Sequence, residues 1–261
     1  MDGLGSGNRL PIERTIGTMR TTRDDRARAL HIAGDSTAAP KGVAAAPETG
    51  WGMALPFYVP GLEVVNHARN GRSSASFISL GHLDLVDAAL REGDLLLVQF
   101  GHNDAKAEDP VRYTEPWTTY QESLRAHLEV ARRHGAHPVL ATSVERRSFD
   151  AAGRAVATHG EYPAAMRELA RREGVPLVDV QAGSLALWQQ LGPDETRRYF
   201  LHTPDGRRDD THLSPLGAAA VARLVASGLV EVGVLGPDDV GRLDEDVPAS
   251  RLTWADADPN A

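Results

Sequence analysis

The strongest constraint on this chain is an alternation. Short apolar runs occur at 29–34 (ALHIAG), 62–68 (LEVVNHA), 94–101 (DLLLVQFG), 137–143 (HPVLATS) and 175–180 (VPLVDV). Each is bounded by Gly, Asp or Pro, the pattern of strands buried on both faces. Stretches with helical spacing lie among and after them. Residues 80–92 carry apolar side chains at 80, 83, 85, 86 and 90, and 117–133 continues with Leu124, Leu128 and Ala131. Helices are also predicted at 162–173, 181–191 and 215–227, the last with Ser214 as N-cap and Pro215 in its first position. Strands separated by helices pair in parallel and bury both faces of one sheet. The expected fold is therefore α/β, a three-layer α/β/α sandwich on a five-stranded parallel sheet.

Composition excludes several classes of function. With 261 residues, 41% of them hydrophobic, the chain can fill one sizeable core. A net charge of -8 and only 5% aromatic residues argue against a nucleic-acid partner. There is no cysteine, which removes disulfides, thiolate nucleophiles and Cys-ligated metals. No run is long and apolar enough to span a membrane. Residues 1–28 are polar and Arg-rich without the apolar core of a secretory signal, so the expected location is cytoplasmic, or secreted if a signal has been removed.

Three segments are expected: a polar extension (1–28), one catalytic domain (29–228) and an acidic tail (229–261). The tail holds eight acids against two arginines and contains Trp254. It reads either as simple disorder or as an arm docked on its own body or on a neighbouring copy in a homo-oligomer, and not as a catalytic part. Residues 143–160 form a long polar loop of the kind that lines binding sites or projects freely.

Open parallel sheets bind ligands beyond the carboxyl ends of their strands. Three polar motifs fall there: GDST after the first run, NHARNGRSS after the second and QFGHND around the end of the third. A fourth, RRDDTHLSPLG, precedes the last helix. Asp209 and His212 are three apart, so the carboxylate can fold back to accept from His212 Nδ1 and leave Nε2 as a base. Ser36, His212 and Asp209 then supply nucleophile, base and orienter. The Ser36 N–H, the Gly71 N–H and the Asn103 amide are candidate donors to an oxyanion. Each residue also has a plainer reading. Ser36 suits a strand-to-loop corner, Asp209 and His212 a helix-capping cluster, Gly71 a positive-φ turn and Asn103 an Asx contact.

GDS (34–36), NG (70–71), GHND (101–104) and DDTH (209–212), in that order, resemble the four sequence blocks of the SGNH, or GDSL-type, hydrolases. The fuller strings GDST, RNGRSS, QFGHND and THLSPLG are similar to the rhamnogalacturonan acetylesterase group, carbohydrate esterase family twelve. The resemblance spans 34–217. It implies a flavodoxin-like sheet, ester hydrolysis with no metal or other cofactor, a Ser36–His212–Asp209 triad and an oxyanion hole from Ser36, Gly71 and Asn103. Thr37 stands where many GDSL enzymes carry Leu, whereas the acetylesterase group has Thr or a similarly small residue. The tail has no counterpart in the resemblance.

The implied substrate is an acetylated carbohydrate, rhamnogalacturonan or its fragments. Asp35, Thr37, Arg72 and His102 are the candidate substrate-binding residues. Forked guanidinium groups at Arg69, Arg72, Arg146, Arg147, Arg207 and Arg208 suit the carboxylates of that polymer. Trp51, Tyr113 and Trp117 are candidate sugar platforms. A lipase or thioesterase of the same fold needs an apolar acyl channel, which these polar loops do not offer. A metal-dependent deacetylase needs HxH or HExxH spacing, and the ten histidines contain neither. A non-catalytic carbohydrate-binding protein is the third alternative.

Overall fold

The computed structural model describes Met1 and residues 28–259. The expected extension over 1–28 therefore lies outside the described residues, its two end residues apart. Five parallel strands form one sheet in the order β2–β1–β3–β4–β5. They are β1 (Ala29–Gly34), β2 (Glu63–Asn66), β3 (Leu95–Gln99), β4 (His137–Ala141) and β5 (Leu177–Val178). The register pairs Ile32 with Asn66 and Gly34 with Gln99, so the first three strands end side by side.

Period-two alternation in the buried strands divides the core. Leu30, Ile32, Leu95, Leu97 and Val139 face one layer with α1 (Trp51–Tyr58) and α7 (Pro215–Glu231). Ala33, Leu96, Val98 and Leu140 face the other. That layer contains α2 (Ser74–Ser79), α3 (His82–Ala89), α4 (Gln121–Arg133) and α5 (Tyr162–Glu173). In α4 the stripe Leu124, Leu128 and Ala131 is fully buried, while the opposite face carries the charges.

The helix expected at 80–92 is shorter, and α2 precedes it across Gly81. Pro116 opens a wider π-type turn before α4. α6 (Val180–Glu195) is broken at Gly192, where the predicted helix 181–191 stops. An antiparallel hairpin, β6 (Phe200–His202) with β7 (Arg208–Leu213), stands outside the main sheet.

α7 continues to Glu231, beyond the expected start of the tail. The described tail residues after it pack on their own chain. Leu235 and Leu252 are buried, and Gly241 N–H donates to Tyr58 O at 2.9 Å. Among the described residues no helix is long and apolar enough to cross a membrane.

Buried titratable groups give the stability a pH dependence. Burial pushes His127 down to about 4, although its Nδ1 donates to Ser123 O at 2.8 Å. Burial also pushes His102 down to about 4, against the pull of Asp35. Below about pH 6.5 the unfolded chain protonates these rings and the native state does not, so each lowers stability as pH falls towards 4. Asp104 works in the opposite sense. Burial pushes it up to about 7, and the native state holds its proton first. His127→Gln is expected to flatten the loss of unfolding free energy between pH 6.5 and 5 by about 1.4 kcal/mol per pH unit at most. Urea midpoints over that range measure it, and an unchanged slope contradicts the assignment.

Candidate active site

Ser36 lies two residues beyond β1, in a turn closed by Ala38 and Ala39 N–H groups donating to Asp35 O at 3.2 and 3.1 Å. Its Oγ is 3.0 Å from His212 Nε2. His212 Nδ1 is 2.8 Å from Asp209 Oδ2, and Asp209 Oδ1 accepts from the Thr211 and His212 N–H groups at 2.8 and 2.9 Å. A carboxylate only accepts, so the ring proton sits on Nδ1 and Nε2 is left to accept from the hydroxyl. Burial pushes Asp209 upward, but the His212 bond and the two backbone donors outweigh it and hold the carboxyl well below its usual range. The Asp209–His212 pair lies on β7, which ends one residue before Ser214, the N-cap of α7.

The oxyanion candidates come from the neighbouring strands. Gly71 follows β2 with φ at +70, a conformation that strains any residue with a Cβ. Among the described residues, neither its N–H nor that of Ser36 has a hydrogen-bond acceptor. Asn103 follows β3; its Nδ2 donates to Arg72 O at 3.0 Å, and its Oδ1 accepts from Arg112 at 3.4 Å. These contacts set the amide orientation and leave one Nδ2 hydrogen over. Gly101 makes the preceding bend, where an added Cβ would lie 2.7 Å from Ser143 Oγ.

Three expected substrate contacts are corrected. Asp35, Thr37 and His102 have side chains sealed inside the protein, at 0%, 1% and 3% exposure. Asp35 accepts from Thr37 N and Oγ1 (2.9 and 2.7 Å), Gln99 Nε2 (3.1 Å) and His102 Nδ1 (3.1 Å). It is the internal post around which the chain turns, and Ser36 beside it is 9% exposed. Burial opposes ionisation of Asp35, but His102 and these donors hold its carboxyl well below the usual range.

Residues 32–220 match the model of the GDSL-like Lipase/Acylhydrolase family. The chain belongs to that family. It is 42% identical over 214 residues to the rhamnogalacturonan acetylesterase RhgT of Bacillus subtilis, covering 78% of this chain and 90% of that one. The probable rhamnogalacturonan acetylesterase YesY of the same organism is 38% identical over 206 residues, covering 78% and 94%. The crystal structure of protein YxiM from Bacillus subtilis superposes with a TM-score of 0.72 at 27% identity. That match covers 81% of this chain and 58% of YxiM, so the chain spans little more than half of that protein.

As a GDSL-like acylhydrolase the protein is a carboxylic ester hydrolase. Among the described residues no group of three or more His, Cys, Asp or Glu side chains is placed to hold a metal ion. Several arginines expected to meet substrate have internal partners. Arg146 donates to His102 O, Arg147 to Pro193 O and Asp210, and Arg207 to Glu48 and Asp209. Trp51 is buried with its Nε1 on Gln99 Oε1 and is no sugar platform. Tyr113 and Trp117 are exposed, on the segment that carries Arg112. The 143–160 loop is pinned by buried Glu145, which accepts from Thr158 N and Oγ1 and from Gln181. Sequence reasoning missed Lys41, Glu48 and Arg112. Each is a single charged residue in a loop with no periodic or motif context to mark it.

Proposed function

We propose that this acylhydrolase removes O-acetyl groups from an acidic carbohydrate, rhamnogalacturonan or its oligosaccharides, through an acyl-enzyme on Ser36. The observation that carries the mechanism is the unbroken line from Ser36 Oγ through the His212 ring to Asp209. His212 Nε2 takes the hydroxyl proton as Oγ attacks the acetyl carbonyl. The N–H groups of Ser36 and Gly71 and the spare Asn103 hydrogen stabilise the oxyanion. His212 then returns the proton to the departing sugar oxygen. Water enters by the same base, and acetate leaves. Asp209 holds the ring and stabilises the imidazolium.

The substrate class is supported by the two Bacillus subtilis relatives named as rhamnogalacturonan acetylesterases and by a basic groove. About 610 Å³ of open space against the β6–β7 hairpin is lined by Arg147, Arg197, His202, Thr203, Pro204 and Arg208. Arg147 is held there by Pro193 O and Asp210, and the exposed guanidinium groups of Arg197 and Arg208 suit uronate carboxylates. In a cytoplasmic setting the substrate is an imported oligosaccharide.

A panel of acetyl esters tests the reading. Acetate release from acetylated rhamnogalacturonan is expected to exceed release from acetylated xylan and to survive EDTA. p-Nitrophenyl acetate is expected to outpace the octanoate ester. Arg197→Ala is expected to raise KM several-fold for the acidic oligosaccharide and leave it unchanged for p-nitrophenyl acetate. A preference for octanoate overturns the acetylesterase reading, and an equal KM effect on both substrates overturns the carboxylate subsite.

A further inference from the structure

A buried cation lies beneath the site, and the chemistry above does not use it. Lys41 is 1% exposed. Its Nζ donates to Ser36 O at 2.7 Å and to Asn70 Oδ1 at 2.6 Å, and it pairs with Glu48 Oε1 at 2.8 Å. Only an ammonium carries the three hydrogens that these three acceptors take. Glu48 Oε2 accepts from Arg207 at 2.9 Å, and the same guanidinium nitrogen is 3.3 Å from Asp209 Oδ2. One chain of charges thus touches the turn that presents Ser36, the residue before Gly71 and the carboxylate that holds His212.

The loop carrying Lys41 and Glu48 has little packing of its own. Its 3₁₀ turn, Val43–Ala45, buries no residue. It is held from outside by the end of the tail. Val43 N–H donates to Ala255 O at 2.9 Å, Ala255 N–H to Lys41 O at 3.0 Å and Trp254 Nε1 to Glu48 O at 2.8 Å.

We infer that Lys41 is a positioning residue that fixes the Ser36 and Asn70–Gly71 turns relative to each other, and that the C-terminal strap acts on catalysis by holding Lys41 in place. A buried ion pair retained only for stability gives a different expectation, because an apolar side chain of similar volume is often as stable or more so. A stability role lets Lys41→Met keep its turnover. A positioning role makes it lose turnover while folded.

The inference rests on the Ser36 mechanism, so Ser36→Ala is assayed alongside. The full chain, Lys41→Met, a chain ending at Leu252 and the combination of the two are compared on a chromogenic acetate, well below each melting temperature. For Lys41→Met, kcat is expected to fall between about tenfold and about a hundredfold with KM little changed, as for a slight misplacement of reacting groups. For the shortened chain, kcat is expected to fall by a smaller factor, about fivefold, also at constant KM. The combined variant is expected to be no worse than Lys41→Met alone, since the strap works through that residue. A folded Lys41→Met with wild-type kcat overturns the inference, as do multiplicative effects in the combination. If Lys41→Met fails to fold, unchanged kcat in the shortened chain overturns it. Activity retained by Ser36→Ala overturns the underlying mechanism as well, whereas an inactive Ser36→Ala beside a fully active Lys41→Met removes this inference alone.

Discussion

Ser36→Ala is expected to lower kcat by about 10⁵ to 10⁶, the loss seen when the nucleophile is removed from a triad that acts as a unit. The substitution is unusually clean here. The contact of Ser36 with Lys41 is made by the main-chain carbonyl, which alanine keeps. The Oγ loses only its bond to His212. Ser36 is buried and loses one hydrogen bond, so stability is expected to change by about 0.5 to 1.5 kcal/mol. The experiment compares steady-state acetate release and glycan affinity for the two proteins after circular dichroism confirms the fold. An inactive variant that binds acetylated oligosaccharide as tightly as the parent supports the acyl-enzyme mechanism. Equal activity in both removes Ser36 as nucleophile. No activity in either, with binding retained, leaves the carbohydrate-binding reading.

The centre of the sheet was legible because β1 and β3 are buried throughout and carry continuous apolar runs. β1 begins and ends where the ALHIAG run does. The site was legible because parallel strands deliver their following loops to one edge, so three polar turns in succession had to converge. α1 was not legible. WGMALPFY is apolar throughout and contains Pro56, so it shows no helical stripe and includes a residue that argues against a helix. β7 was hidden for the opposite reason: RDDTHL is polar and does not alternate, because it lies outside the main sheet. Asp35, Thr37 and His102 were misread because a motif marks which residues matter without saying which way they face. The inward direction of Asp35 comes from donors on β3 and on the loop after it, 64 and 67 residues along the chain.

The two acids before His212 separate sharply in the structure. Asp209 meets His212 Nδ1 with one oxygen and two backbone N–H groups with the other. Asp210 has other partners. Its side chain is about half exposed and reaches Arg147 Nη1 at 3.1 Å and His202 Nε2 at 2.7 Å. Asp209→Asn keeps an oxygen for the Thr211 and His212 N–H groups and turns its NH₂ towards Nδ1. That nitrogen must then accept, the ring proton moves to Nε2, and the base can no longer take the Ser36 proton. The expected loss in kcat/KM is about 10³ to 10⁴, or ~4 to 5.5 kcal/mol of transition-state stabilisation. Asp210→Asn still accepts from Arg147 and His202 through its amide oxygen and loses only part of a solvent-screened ion pair. Its kcat/KM is expected to stay within about threefold on p-nitrophenyl acetate. Both variants are compared over a pH series, because a flipped tautomer lowers the whole kcat/KM profile, whereas loss of a charge that only tuned His212 shifts its midpoint. A pH shift without a fall in the plateau makes Asp209 an electrostatic neighbour instead of the orienter, and a larger loss in Asp210→Asn moves that role one residue along β7.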